Sequence, residues 1–164
     1  MVNPGKPGAA EADAALWLEI TRIFNAPRED VFRSWIEPER IARWIGPRSI
    51  KVEVLKMDAR PGGSYRIRMH GESGDVYIVG GIYREVVAPE RLVFTWAWEE
   101  DGHGHRMGHE SVVEITCRAV GRKTEMTLRH GRFETKESRD NHDHGWSGSF
   151  DKLAEILAGK PGRV

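Results

Sequence analysis

The sequence predicts an α+β domain in which a curved antiparallel β-sheet wraps a long C-terminal helix, and three observations carry that prediction. From Lys136 to Leu157, the apolar residues Trp146, Phe150, Leu153 and Leu157 recur at spacings of four, three and four. That pattern is one face of a helix about 33 Å long. From Ile50 to His130 the apolar period is two, with turn residues between the runs. Between the first strand and these runs, Pro27 and Pro38 each open a short helical pattern.

Taken in order, Trp17 to Phe24 alternates as a first strand, and Asn25-Ala26-Pro27 breaks it. Pro27 is expected at the first helical position, with Val31, Phe32 and Trp35 on the apolar face. Pro38 starts the second helix, with Ile41, Ala42, Trp44 and Ile45 inward until Gly46-Pro47 ends it. Ile50, Val52 and Val54 form the next strand, and Arg60-Pro61-Gly62-Gly63 turns the chain. Tyr65, Ile67 and Met69 then share one face, while Arg66, Arg68 and His70 take the other. Gly71 to Gly74 connects to a longer strand, Asp75 to Val87, whose Gly80-Gly81 pair predicts a bulge or sharp curve and leaves the faces of Tyr77 and Tyr83 open.

Beyond the Pro89-Glu90-Arg91 turn, Leu92, Phe94, Trp96 and Trp98 line one face of a strand. A glycine- and histidine-rich loop, Asp101 to Gly108, leads to Val113, Ile115 and Cys117, and after Gly121-Arg122-Lys123 come Met126, Leu128 and His130. Thr135 is the expected N-cap of the long helix, and Gly159 with Pro161 its stop.

At 164 residues, one domain is expected over 15–158, with a flexible tail at 1–14 and a short one at 159–164. The 25 basic and 25 acidic residues cancel, which argues against a nucleic-acid partner, since a phosphate-binding groove needs a basic excess. Cys117, the single cysteine, cannot form an internal disulfide and reads as a small buried hydrophobe. The first fourteen residues lack the apolar core of a signal peptide, and no transmembrane segment is predicted, so the expectation is cytoplasmic.

Several phrases together resemble a known family. They are Ala26-Pro27 through Val31-Phe32 with Trp35, Trp44 near Gly46-Pro47, Arg60-Pro61-Gly62-Gly63 before Tyr65-Arg66, the stretch Pro89 to Trp96, and Gly145-Trp146-Ser147-Gly148-Ser149 with Leu153. The chain resembles a helix-grip domain of the START or birch-pollen-allergen (SRPBCC) superfamily, in the branch named after the activator of heat-shock protein 90 ATPase. The resemblance implies a cavity between sheet and helix that often holds an apolar ligand. It does not choose between binding and catalysis, because superfamily members include ligand binders, cyclases and hydratases. A chaperone partner is implied only by the branch name, and a single domain without that co-chaperone's second one is expected.

The inward faces offer Trp44, Tyr65, Ile67, Met69, Trp96, Trp98, Met126, Trp146 and Phe150, with His130 as the polar residue. Such an aromatic concave surface suits a small hydrophobic molecule, although aromatics at these spacings also serve as plain core. Gly145 and Gly148 would thin the helix toward the sheet. His130 with Tyr65 or Tyr83 could act in acid–base chemistry, but no inward carboxylate accompanies it, and a local structural role is favoured. No catalytic residue, cofactor or metal is assigned. His103, His105 and His109 share a loop, and His142 and His144 fall on different sides of the helix, so all five read as solvated surface, some of it at the cavity mouth. Gly145 to Ser149 lacks the final glycine of a nucleophile elbow, and Gly102-His103-Gly104 lacks the rest of a dinucleotide fingerprint. The expected occupant is therefore a small hydrophobic or aromatic molecule, bound without being transformed; a cyclase, hydratase or hydrolase and a protein-interaction domain are the competing readings. Homodimerisation through an exposed strand face or the short helices is a further expectation, for which no residue argues directly.

Overall fold

In a computed structural model, residues 16–159 are described. Seven strands, β1 (Leu18–Phe24), β2 (Lys51–Met57), β3 (Ser64–His70), β4 (Val76–Val87), β5 (Arg91–Trp98), β6 (Ser111–Val120) and β7 (Lys123–Gly131), form one sheet in the order β1-β7-β6-β5-β4-β3-β2. Every neighbouring pair is antiparallel. Two short helices, α1 (Arg28–Ile36) and α2 (Pro38–Ile41), follow β1, and α3 (Lys136–Leu157) closes the chain. The predicted tails, apart from Gly159, lie outside the described residues, and so does Pro161.

The predicted long helix keeps its bounds because both ends are chemically marked. The Thr135 side chain accepts a hydrogen bond from Ser138 N at 3.1 Å, satisfying one of the amides that the first turn leaves open, and Glu137 complements the helix dipole. At the other end Gly159 takes φ +86, the left-handed conformation that stops a helix cheaply only at glycine. The buried stripe of α3 is Trp146, Ser149, Phe150, Lys152 and Leu153. Phe150 ties three parts of the fold together, its ring lying 6.5 Å from Phe24, 6.0 Å from Trp35 and 6.1 Å from Trp44.

Four local expectations need correction. Pro27 is the N-cap rather than the first helical residue, because its ψ of 153 is extended, and the helix begins at Arg28. The second helix ends at Ile41; Trp44 and Ile45 are buried from the turn that follows, with Trp44 Nε1 donating to Ser34 O at 3.0 Å. In β4 the register shift falls between Tyr83 and Glu85, not at the glycine pair. At Gly81 the cause is instead close approach: a Cβ there would sit 2.0 Å from Thr95 O, where only hydrogen fits. Gly145 and Gly148, finally, do not let the helix approach the sheet. A Cβ on either would meet nothing within 4 Å.

The open faces of β4 are settled as well. Tyr83 is buried, whereas Tyr77 is half exposed at the end of the sheet, edge-on to Trp98 with ring centroids 6.5 Å apart. Cys117 is buried, and burial pushes its thiol up to about 12, as expected of an inert core residue. No described helix is long and apolar enough to cross a membrane.

Candidate functional site

Where the N-terminal half of α3 passes over the ends of β3 and β5, the concave face is not filled. A cleft of about 260 Å³ remains, walled by Met69, Trp96, Trp98 and Trp146, with Ile45 to Pro47 on one side and Asn141, His142, Gly145 and Ser149 on the helix. No charged residue lines it. An apolar cavity of about 150 Å³ already holds benzene, so the volume admits a fused or linked pair of rings.

Of the ten residues expected to line a site, the structure brings Met69, Trp96, Trp98 and Trp146 together around this cleft. Trp44, Tyr65, Ile67, Met126, His130 and Phe150 do not line it; they are buried in packed core. The physical reason is that Phe32 and Trp35 of α1, Ile41 of α2, and Trp44 and Ile45 of the following turn plug the other end of the concave face. Beneath them, the gap bounded by Tyr65, Ile67, Tyr83 and Phe94 shrinks to about 10 Å³. Tyr65 donates from its hydroxyl to Thr95 O at 2.6 Å, and burial raises its phenol well above the ordinary range, so it offers no general base.

His130 is held as a structural residue. Trp146 Nε1 can only donate, and it donates to His130 Nδ1 at 3.0 Å; the ring proton therefore sits on Nε2, which donates to Ser111 Oγ at 2.8 Å. Ser111 in turn donates to Trp96 O at 3.0 Å. Both nitrogens are committed, and burial, aided by nearby His142, drives the imidazole well below its usual pKa.

His142, read from the sequence as surface, is the residue that prediction missed. Its Nδ1–H donates to Ser138 O at 2.8 Å, and its Nε2 accepts from Trp98 Nε1 at 3.1 Å and Trp96 Nε1 at 3.3 Å. The signal was present: His142 lies four residues before Trp146 and extends the same helical face by one turn. Burial holds this imidazole too below its ordinary pKa, partly offset by the Ser138 carbonyl. His144 is exposed on the far side, as expected.

Ser149 and the fully buried Lys152 were likewise missed, because a polar residue on a core face carries no periodic signal. Gly46 N donates to Ser149 Oγ at 3.0 Å, and Lys152 Nζ donates to Gly46 O, fastening the Gly46 turn to α3 as one wall of the cleft. Among the described residues no group of three or more His, Cys, Asp or Glu is placed to hold a metal ion. Ser147 of the elbow-like phrase lies within the helix, and Gly102 to Gly104 lie in a loop.

Two expected outcomes arise directly from this geometry. Gly148→Ala places its methyl in open space on the exposed face of α3 and should stabilise the protein by about 0.5–1 kcal/mol, seen as a higher urea midpoint. Gly145→Ala should stabilise similarly while projecting a methyl from a cleft-lining position and weakening ligand binding. The second outcome is acid sensitivity. A histidine kept neutral by folding binds its proton more readily when unfolded, so its stabilisation is complete above about pH 6.5 and is lost as pH falls toward the folded-state pKa. For His130 the expected slope is about 1.4 kcal/mol per pH unit, and urea titrations of His130→Leu should show that limb flattened. Glu99, held down chiefly by its hydrogen bond from Arg66, contributes its own loss only at lower pH.

A seven-stranded antiparallel sheet curved around one long C-terminal helix, with a cleft left between them, defines a helix-grip domain. The chain belongs to the Activator of Hsp90 ATPase homolog 1-like protein family, whose model matches residues 25–158. Similar solved structures include a Chromobacterium violaceum protein, at 26% identity and TM-score 0.79 over 86% of this chain and 96% of that one. The AHSA1 protein of Silicibacter pomeroyi is 28% identical, with TM-score 0.78 over 87% and 97% of the two chains. A protein from Arthrobacter aurescens shares the fold at 20% identity, with TM-score 0.80 over 89% and 88%. Among curated proteins, none matches the chain.

Proposed function

We propose that the protein binds a small, uncharged hydrophobic or aromatic molecule in the cleft between the sheet and α3. The observation that supports this reading is a cleft of about 260 Å³ walled by three tryptophans and Met69 and lined by no charged side chain. Burying an aromatic ring there removes apolar surface from water on both partners, at about 25 cal/mol per Å². Asn141 is the polar side chain placed to orient it, since His142 and Ser149 are engaged in internal hydrogen bonds.

A thermal-shift screen against neutral aromatic and aliphatic metabolites tests the reading, because a ligand that binds only the native state raises the melting temperature. The expected result is a concentration-dependent rise that disappears in Trp98→Ala, whose side chain forms the outer wall, with the variant still folded. A rise that persists unchanged in Trp98→Ala and Met69→Ala would place binding elsewhere. The enzymatic reading through His130 has less support, since both ring nitrogens are engaged in internal hydrogen bonds and the side chain is fully buried. The co-chaperone reading rests on the family's name and would be tested by stimulation of a chaperone ATPase.

A further inference from the structure

A second compartment of about 200 Å³ adjoins the cleft, and the two share three wall residues, Trp96, Trp98 and His142. Its character differs. The cleft is almost wholly apolar, whereas the second compartment adds His109, Ser111, Glu134 and Ser138 around the Phe133 ring. His142 stands between them, and all three of its hydrogen bonds run to groups that bound these spaces: the backbone of Ser138 and the indoles of Trp96 and Trp98.

We propose that the two compartments are halves of one bipartite ligand site, with His142 as the movable partition, and that its ligand is a rod-shaped molecule with an apolar aromatic body and a hydrogen-bond-donating hydroxyl or amine at its far end. The inference rests on the cleft being a binding site and specifies what it takes. The body occupies the cleft, which has no charge to offer it. The far end enters the second compartment, where the Glu134 carboxylate and the Ser138 hydroxyl accept hydrogen bonds. His109 is less available, because its Nε2 is 2.5 Å from Arg132 O. His142 is held by neutral N–H···N contacts, one backbone carbonyl on its own helix and ring contacts with His130 at 5.2 Å and Phe133 at 5.0 Å, and no covalent or ionic tie prevents the ring from turning aside. It sits on α3 beside Gly145, a residue without a side chain to hinder its rotation.

Two probes separate this inference from the reading it rests on. Naphthalene is small enough for the cleft alone; trans-4-hydroxystilbene is the longer rod and carries the donor end. Affinities are measured by tryptophan-fluorescence titration on wild type, His142→Ala and His142→Phe. Naphthalene should still bind all three, because the apolar walls Met69, Trp96, Trp98 and Trp146 remain in each. Hydroxystilbene should bind His142→Ala about tenfold more tightly than wild type, the gain expected if the partition is open in roughly one molecule in ten. His142→Phe, which restores the bulk, should return affinity to the wild-type level or below. A crystal structure of the wild-type complex supplies the independent measurement should the alanine variant fail to fold: the stilbene should span from Met69 to Glu134 with the His142 ring turned aside. Naphthalene binding with hydroxystilbene excluded from both wild type and His142→Ala, or a crystal complex with His142 in place, overturns the bipartite site and leaves the cleft intact. Failure of naphthalene to bind any of the three proteins overturns both.

Discussion

Replacing Trp146 with alanine is expected to cost about 3–5 kcal/mol of stability, the range for removing a large buried aromatic, and to lower the melting temperature by roughly 10 °C or more. Trp146 is the point at which the helix, the sheet and the cleft meet. Its ring stacks on Phe150 at 5.7 Å, lies 5.1 Å from Trp96 and 5.6 Å from Trp35, and is almost fully buried. Its N–H is also the hydrogen-bond donor that fixes the tautomer of His130. Trp146→Phe separates the two contributions. It keeps most of the apolar contact but leaves His130 Nδ1 without that donor, for which about 1–3 kcal/mol is expected. Urea unfolding of both variants measures the difference. A cost below about 1 kcal/mol for Trp146→Ala would show that this helical face does not carry the core.

The long helix was legible because three signals agreed: a 3.6-residue apolar period, a capping threonine and a terminal glycine. The alternation of β3 and β7 was equally clear, and the buried positions of Tyr65, Ile67, Met69, Met126, Leu128 and His130 follow it. Periodicity reports which face a residue occupies, however, and not whether anything lies opposite. Ile67 and Met69 share a parity on β3, yet one is packed beneath the short helices and the other borders an open cleft. That division is tertiary, set by how far α1 and α2 reach along the concave face. Tyr77 and Tyr83 show the same limit, having the same parity in β4 but very different burial: Tyr83 borders the gap beneath Trp35 and Ile41 of the short helices, whereas Tyr77 is half exposed beside Trp98.

Polar residues on the core side were the least legible. His142, Ser149 and Lys152 break the apolar pattern, so the sequence marks none of them as core, although each is directed inward and bonded there. A buried polar group is retained only where its partners are supplied, and those partners come from distant segments: two indoles of β5 for His142, and the backbone of Gly46 for Ser149 and Lys152. No local pattern encodes such a match. The consequence for the cleft is specific, since these contacts set two of its walls while the predicted aromatics set the others.

Gly81→Ala should be among the most damaging small substitutions in the sheet, with an expected loss of about 4 kcal/mol or more. The added methyl would meet Thr95 O at 2.0 Å and Thr95 C at 2.6 Å, and neither is the movable end of a flexible side chain. β4 and β5 would have to separate. Separation breaks the contact in which Ile82 N donates to Thr95 Oγ1 at 2.8 Å and disturbs the Tyr65 hydroxyl's bond to Thr95 O. The strain then reaches the cleft, because Trp96 follows Thr95 directly and forms part of its wall. Gly80→Ala is the graded control, since its methyl would lie 2.8 Å from Tyr65 O, a milder conflict that a small shift of β3 relieves. Thermal and urea unfolding should rank wild type above Gly80→Ala and Gly80→Ala above Gly81→Ala, with an altered near-ultraviolet tryptophan signal in the last. Wild-type stability in Gly81→Ala would mean that the two strands are not in fact pressed together at this point, and that the glycine pair serves only to bend β4.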